Sequence, residues 1–321
     1  MKIFACPGCG ADLFFDNLVC GCNLAVGYAP NRQEFVGDGK FCGNRQILGC
    51  NWTAAPDATL CDSCRMTSVH PDLFVGGNGQ LWAKAEAAKR HVLAGLIRWG
   101  WFGADDTGAR PEFHMLAEAT SSGPVSVMMG HASGLVTINL AEADAYERIR
   151  RRDMLGEPYR TLIGHFRHEI AHFLFERLAR SEGFVSEFRA LFGDERQDYG
   201  AALSRHYQGG PPADWQAAYI TAYATAHPHE DWAESAAHTM LLTDIVDSFL
   251  ATGLRAADAP EKGYDPFAET GAKHLLESAF AIGLAMNHVN RAAGQPDLYP
   301  FVTMPRTREK LGFALRWLHR R

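Results

Sequence analysis

The chain has 321 residues, 47% of them hydrophobic, and a formal net charge of −6. That length suits one medium catalytic domain with a small appendage, and the charge offers no attraction to nucleic acid or to a membrane surface. No apolar run reaches the roughly 20 residues needed to cross a bilayer, so the expected setting is soluble, reducing and cytoplasmic.

All eight cysteines fall before residue 65, at Cys6, Cys9, Cys20, Cys22, Cys42, Cys50, Cys61 and Cys64. Cys6-Pro-Gly-Cys9-Gly reads as a metal knuckle, in which glycines let backbone N–H groups turn toward thiolate sulfur. Cys20-Gly-Cys22 would close a first four-thiolate site in zinc-ribbon fashion. Cys61-Asp-Ser-Cys64 forms another knuckle, with Cys42 and Cys50 as the other half of a second site. Two structural zinc ions therefore use every cysteine. Four disulfides in a secreted domain are the alternative. Against it, Met1–Ala5 is too short for a signal-peptide apolar core, and pairs two or three residues apart suit metal better. A ribbon of this size has little core of its own, so zinc would carry much of its folding energy. Residues 1–75 hold five basic and seven acidic side chains with no basic run. Nucleic acid is therefore not an expected partner. A protein partner, substrate presentation or structural support fits the ribbon better.

Gly76-Gly-Asn-Gly79 marks the expected boundary, followed by a helical pattern from about Gln80 to Trp99. Phe113–Ala119, Val125–Gly130 and Leu135–Leu140 read as short strands around Ser121-Ser-Gly-Pro124 and His131-Ala-Ser-Gly134. Leu135–Leu140 is a candidate edge strand for pairing with an extended peptide, its alternative being an interior strand. From Glu142 onward the pattern is almost wholly helical, with loops at Gly209–Pro212, Asp258–Pro260 and Gln295–Asp297. Arg148, Arg150, Arg151 and Arg152 are expected at a solvated helix end. The apolar segment Leu298–Val302 is expected to pack on the helical core.

One long helix is predicted from Pro158 to about Gly183, with Leu162, Phe166, Ile170, Phe173, Leu174 and Leu178 as its apolar stripe. It carries His168-Glu169-Ile170-Ala171-His172, the H-E-x-x-H pattern of zinc peptidases. Four residues make just over one turn, so both imidazoles lie on one face and can share a metal. Glu169 sits beside that metal, where a carboxylate can take a proton from water. His165 shares the same face and is expected to cap a neighbouring carbonyl or pack against a partner helix.

A catalytic zinc has three protein ligands and an open position. The third is expected from His227-Pro-His-Glu-Asp-Trp-Ala-Glu234, which opens a helix with Pro228 in its first turn. Glu230 and Glu234 lie one turn apart. Glu230 is assigned to the metal and Glu234 to the ring N–H of a ligand histidine. The reverse order stays open, and His227, His229 and His238 are rival ligands.

The helix and the Glu-x-x-x-Glu segment resemble the gluzincin peptidases. Nearly the whole chain resembles a bacterial family of zinc-binding metallopeptidases with an N-terminal zinc ribbon. The shared stretches are Gly164–Ile170, Phe192-Gly-Asp-Glu-Arg196, Asp198-Tyr199, His227-Pro228, Glu230-Asp-Trp-Ala-Glu234 and Gly294-Gln-Pro-Asp-Leu-Tyr-Pro300. The gluzincin resemblance implies that Tyr223, seven residues before Glu230, faces the metal as an oxyanion donor. A half-buried structural aromatic is its other reading.

The resulting expectation is an α+β chain: a zinc-ribbon module over residues 1–75, then a mostly helical zincin-like metallopeptidase domain with a small sheet over residues 76–321. It would use one catalytic and two structural zinc ions to hydrolyse a peptide or protein substrate, with Glu169 as general base. The alternative is a zinc-stabilised adaptor whose central site is structural or vestigial. Glu169 separates the two, because a structural site has no use for an unliganded carboxylate beside its metal. Hydrolysis of a non-peptide amide fits the same motif.

Overall fold

The computed structural model describes every residue except Gly156, Pro158, Lys262 and Arg321. The architecture is α+β, divided into two compact units, Met1–Phe166 and Arg167–Arg321.

The first unit begins with two short antiparallel pairs, Phe4–Ala5 with Asp12–Leu13 and Gly27–Ala29 with Glu34–Val36. The helix Asn78–Arg98 starts after Gly77, whose φ of 92° a side chain would oppose. Its buried Arg90 donates from Nε to Asn51 Oδ1 at 3.1 Å, which ties the helix to the cysteine-bearing segment. Lys89 and Glu86, both buried, pair on it at 2.9 Å.

A four-stranded sheet runs in the order Thr67–Val69, Glu112–Leu116, Leu135–Asn139, Gly130–Ala132. Leu135–Asn139 is parallel to Glu112–Leu116 on one side and antiparallel to Gly130–Ala132 on the other. This corrects the edge-strand expectation: both sides of its backbone are already used, so no peptide can add there. Phe113, Met115, Val136 and Ile138 are fully buried, as the two-residue period of the strands dictates. Of the predicted strand Val125–Gly130 only Gly130 is extended into the sheet. Val125–Met129 forms no regular element, and a small hairpin of Ala119–Thr120 with Gly123–Pro124 stands just before it.

The basic cluster lies on the helix Ala145–Leu155 and departs in part from expectation. Arg150 and Arg152 pair locally with Glu147 and Asp153 at the surface. Arg151, however, reaches Glu118 at 2.9 Å and the buried Glu142 at 3.3 Å. Glu142 also receives Arg160 at 2.7 Å and His165 Nε2 at 3.2 Å. A buried carboxylate needs such compensation, and it draws the arginines out of solvent.

The motif helix spans Leu162–Leu178 and so stops short of Gly183; the predicted start at Pro158 lies outside the described residues. Ser181 ends it by capping a new helix, Glu182–Phe192, with its hydroxyl accepting the Phe184 N–H. The second unit continues with helices Tyr199–Gly209, Pro228–Ala251, Ala272–Ala292 and Pro305–Leu318. Asp198 caps the first of these through the Ala201 N–H at 2.9 Å.

Phe175, Phe184, Phe188, Trp232 and Phe313 form an aromatic core in which Phe175 meets Phe188 at 5.0 Å and Phe184 meets Trp232 at 5.4 Å. Buried Trp232 donates its indole N–H to the Ala171 carbonyl at 2.8 Å. That bond joins the motif helix directly to the helix bearing Glu230. Lys310 holds the same helix start through Asp231 at 2.5 Å. Tyr299, in the Leu298–Val302 segment, is buried, with Asn287 bracketing its backbone at 3.0 and 2.8 Å. The expectation holds for Tyr299 but not for the whole segment, since Val302 is 83% exposed.

Candidate metal centres

The cysteines gather into two groups, Cys6, Cys9, Cys20, Cys22 and Cys42, Cys50, Cys61, Cys64. In the first, Cys6 and Cys22 sulfurs lie 3.9 Å apart and those of Cys9 and Cys20 3.6 Å apart. In the second, Cys50 lies 3.6 Å from Cys61 and 3.8 Å from Cys64. A tetrahedral ion with Zn–S bonds of about 2.3 Å separates its sulfurs by about 3.8 Å. A disulfide would require about 2.05 Å. Backbone amides also aim at the sulfurs: Gly8 N–H at Cys6 (3.4 Å), Cys61 N–H at Cys42 (3.3 Å) and Cys64 N–H at Cys61 (3.5 Å).

Crowding spreads the acidities of the first group. The Cys9 amide brings Cys6 down to about 6. Cys20, although the Cys22 amide favours its thiolate, is pushed up to about 12 by the adjacent Cys6 sulfur. Four sulfurs so close cannot all ionise without a cation among them, so both groups fit zinc.

The third group unites His168, His172 and Glu230. Their helices deliver them by different routes. The four-residue step sets the two imidazoles side by side in an edge-to-face pair, with their Nε2 atoms 3.1 Å apart. Glu230 occupies the first turn of Pro228–Ala251, where Pro228 opens the helix and the His227 ring accepts the His229 N–H. Its Oε2 lies 3.0 Å from His168 Nε2 and 3.5 Å from His172 Nε2.

Glu234, one turn on, takes the other face of the first ring: His168 Nδ1 donates to its Oε1 at 2.7 Å. That bond leaves a lone pair on His168 Nε2, directed toward Glu230. Glu230 Oε2 is itself buried and makes no hydrogen bond among the described residues. Such an orphaned, buried oxygen beside imidazole nitrogens is costly without a positive charge between them. A tetrahedral zinc with bonds of 2.0–2.2 Å separates its ligand atoms by about 3.4 Å, so the donor set fits that ion. Burial opposes a charge on the His168 ring, but with no cation between them the carboxylates of Glu230 and Glu234 override it and raise its pKa well above the usual value, so a proton takes the place that a metal would fill. The same carboxylates would attract a cation.

Glu169 follows His168 and is buried to 7% exposure. Tyr223 stands in a short 3₁₀ turn, Tyr223–Thr225, its ring 6.1 Å from that of His168. Burial raises its pKa, so it is a protonated donor.

The structure does not bring the rival histidines to this point. His227 donates from Nε2 to the Gln197 carbonyl at 3.2 Å, so both its nitrogens are committed. His229 packs edge-on against Phe175 at 4.5 Å, and burial lowers its pKa to about 4. His238 Nδ1 meets the Tyr299 hydroxyl at 3.0 Å. His165 serves Glu142, a carboxylate rather than the carbonyl expected.

Tyr199 escaped the sequence reading. Its hydroxyl donates to Glu230 Oε1 at 2.5 Å; the residue is 43% exposed, but desolvation at the hydroxyl together with the Glu230 charge raises its pKa. The available signal was the Asp198-Tyr199 pair, a helix cap followed by a phenol.

A family model described as "Putative zinc-binding metallo-peptidase" matches residues 78–317. Uncharacterized proteins of Mycobacterium bovis and Mycobacterium tuberculosis are 38% identical over 329 aligned residues, which cover 98% of this chain and 94% of theirs. No solved structure matches.

Proposed function

The chain belongs to this zinc-binding metallopeptidase family, and from that membership we propose that it hydrolyses peptide bonds at a zinc site formed by His168, His172 and Glu230. The observation that carries the reading is the convergence of three possible ligand atoms, one of them a buried oxygen with no hydrogen bond among the described residues, with the acid Glu169 directly following His168 on the motif helix. A zinc ion held there supplies Lewis acidity, lowering the pKa of a bound water from about 15.7 to about 7. Glu169 takes the proton of the attacking water and passes it to the leaving amine. Glu234 fixes the tautomer and orientation of His168 through Nδ1. Tyr223, neutral at physiological pH, donates to the developing oxyanion.

The two four-cysteine groups hold structural zinc, giving three ions per chain. Residues 1–75 act as a ribbon module ahead of a peptidase domain over residues 76–321, and the ribbon offers a surface for a protein partner rather than for nucleic acid. The protein works in the cytoplasm on peptide or protein substrates.

The test compares wild type with Glu169→Gln at equal zinc content on a proteome-derived peptide library, read by mass spectrometry. Cleavage by wild type and a loss of about 10²–10⁴-fold in the variant are expected. Equal inertness of both at full zinc content would overturn the proposal in favour of an adaptor.

A further inference from the structure

Glu230 has two oxygens, and the structure treats them differently. Oε2 is buried without a hydrogen bond among the described residues and faces the Nε2 atoms of His168 and His172. Oε1 accepts the Tyr199 hydroxyl at 2.5 Å. Tyr199 is the first residue of the helix Tyr199–Gly209, where the Asp198 cap fixes its backbone. Its ring rests edge-on against His227 at 5.2 Å, and His227 is itself bound to the Gln197 carbonyl. Although the residue is 43% exposed, the phenol is therefore held by the His227 ring and by the carboxylate.

We propose that Tyr199 is a positioning residue that keeps Glu230 a one-oxygen ligand. This rests on the reading of the His168–His172–Glu230 group as a zinc site. A carboxylate can bind a metal through one oxygen or both. Bidentate binding would add a fifth donor beside the position that a catalytic zinc keeps for water or substrate and crowd it. The Tyr199 O–H occupies one lone pair of Oε1 and ties down that end of the carboxylate, so Oε2 is the oxygen offered to the imidazole side. Tyr223 lies in the same region with its ring 6.1 Å from His168, but Tyr199 is the phenol bonded to Glu230. The two phenols divide the work: one sets the ligand and the other serves the oxyanion.

The test uses cobalt(II) in the full chain, after a mild chelator has emptied the His–Glu site. The absence of a sulfur-to-cobalt charge-transfer band checks that both cysteine groups retain their zinc. Wild type should give the intense visible band of a four-coordinate ion. Tyr199→Phe, which removes only the hydroxyl, should give a band at least about twofold weaker as coordination rises to five. Cobalt affinity should fall by about 10-fold or more. An unchanged band would overturn the proposal, even with weaker affinity, because the hydroxyl would then support the ligand without setting its oxygen count. Failure of wild type to bind cobalt outside the cysteine groups would instead overturn the zinc-site reading.

Discussion

A single orphaned oxygen organises the candidate site. Glu230 Oε2 is buried, makes no hydrogen bond among the described residues and lies within 3.5 Å of two imidazole nitrogens. Removing it should therefore cost the metal itself. Glu230→Ala should lose the central ion, whereas His229→Ala, whose ring packs on Phe175, should keep it; zinc counted per chain by atomic emission decides this. Glu234 acts at one remove, through His168 Nδ1 at 2.7 Å. Glu234→Ala should retain the site but weaken its zinc affinity by about 10- to 100-fold, measured by competition with a chromophoric chelator. Affinity unchanged within a factor of two would remove Glu234 from its assigned role.

At the scale of elements, what could be read in advance was what repeats locally. The His168–His172 pair follows from one turn of helix, and the start of the Glu230 helix follows from Pro228 in its first turn. The Asp198-Tyr199 pair was legible but the role of Tyr199 was not, because its contact with Glu230 joins residues 31 positions apart through packing that no periodicity encodes. Leu135–Asn139 was misread for a related reason: whether a strand is edge or interior depends on sheet order, which is nonlocal.

The Glu142 cluster was likewise hidden, since its arginines look like a solvated run until a buried carboxylate gathers them. That cluster makes a pH prediction. Burial alone would raise the Glu142 pKa, but His165 and Arg160 hold it down at about 2. A depressed carboxylate contributes stability above its unfolded pKa and loses it as pH falls toward the folded value. Glu142→Gln should thus be less stable than wild type by about 3 kcal/mol near pH 6. The gap should close between about pH 4.5 and pH 2. Denaturant melts across that range check it, and a gap independent of pH would contradict it.

For the whole molecule, the division of metal sites matters more than net charge. All eight cysteines lie in the first compact unit, while His168, His172 and Glu230 lie in the second with its aromatic core. Small cysteine modules draw much of their folding free energy from zinc, whereas a core such as Phe184, Phe188, Trp232 and Phe313 does not need it. Full chelation should therefore abolish amide protection over residues 1–65. It should leave the helices Leu162–Leu178 and Pro228–Ala251 protected, as hydrogen exchange can show residue by residue. Uniform loss of protection through both units would contradict that division.

The central claim is that two imidazoles and one carboxylate oxygen grip a zinc ion while leaving one position free. Anomalous diffraction at the zinc edge from crystals of the zinc-loaded chain tests it most directly. The account predicts three ions. One should lie about 2.0–2.2 Å from His168 Nε2, His172 Nε2 and Glu230 Oε2, with water in the fourth position. A fourth side chain in that position, or no anomalous peak between those three atoms, would contradict it.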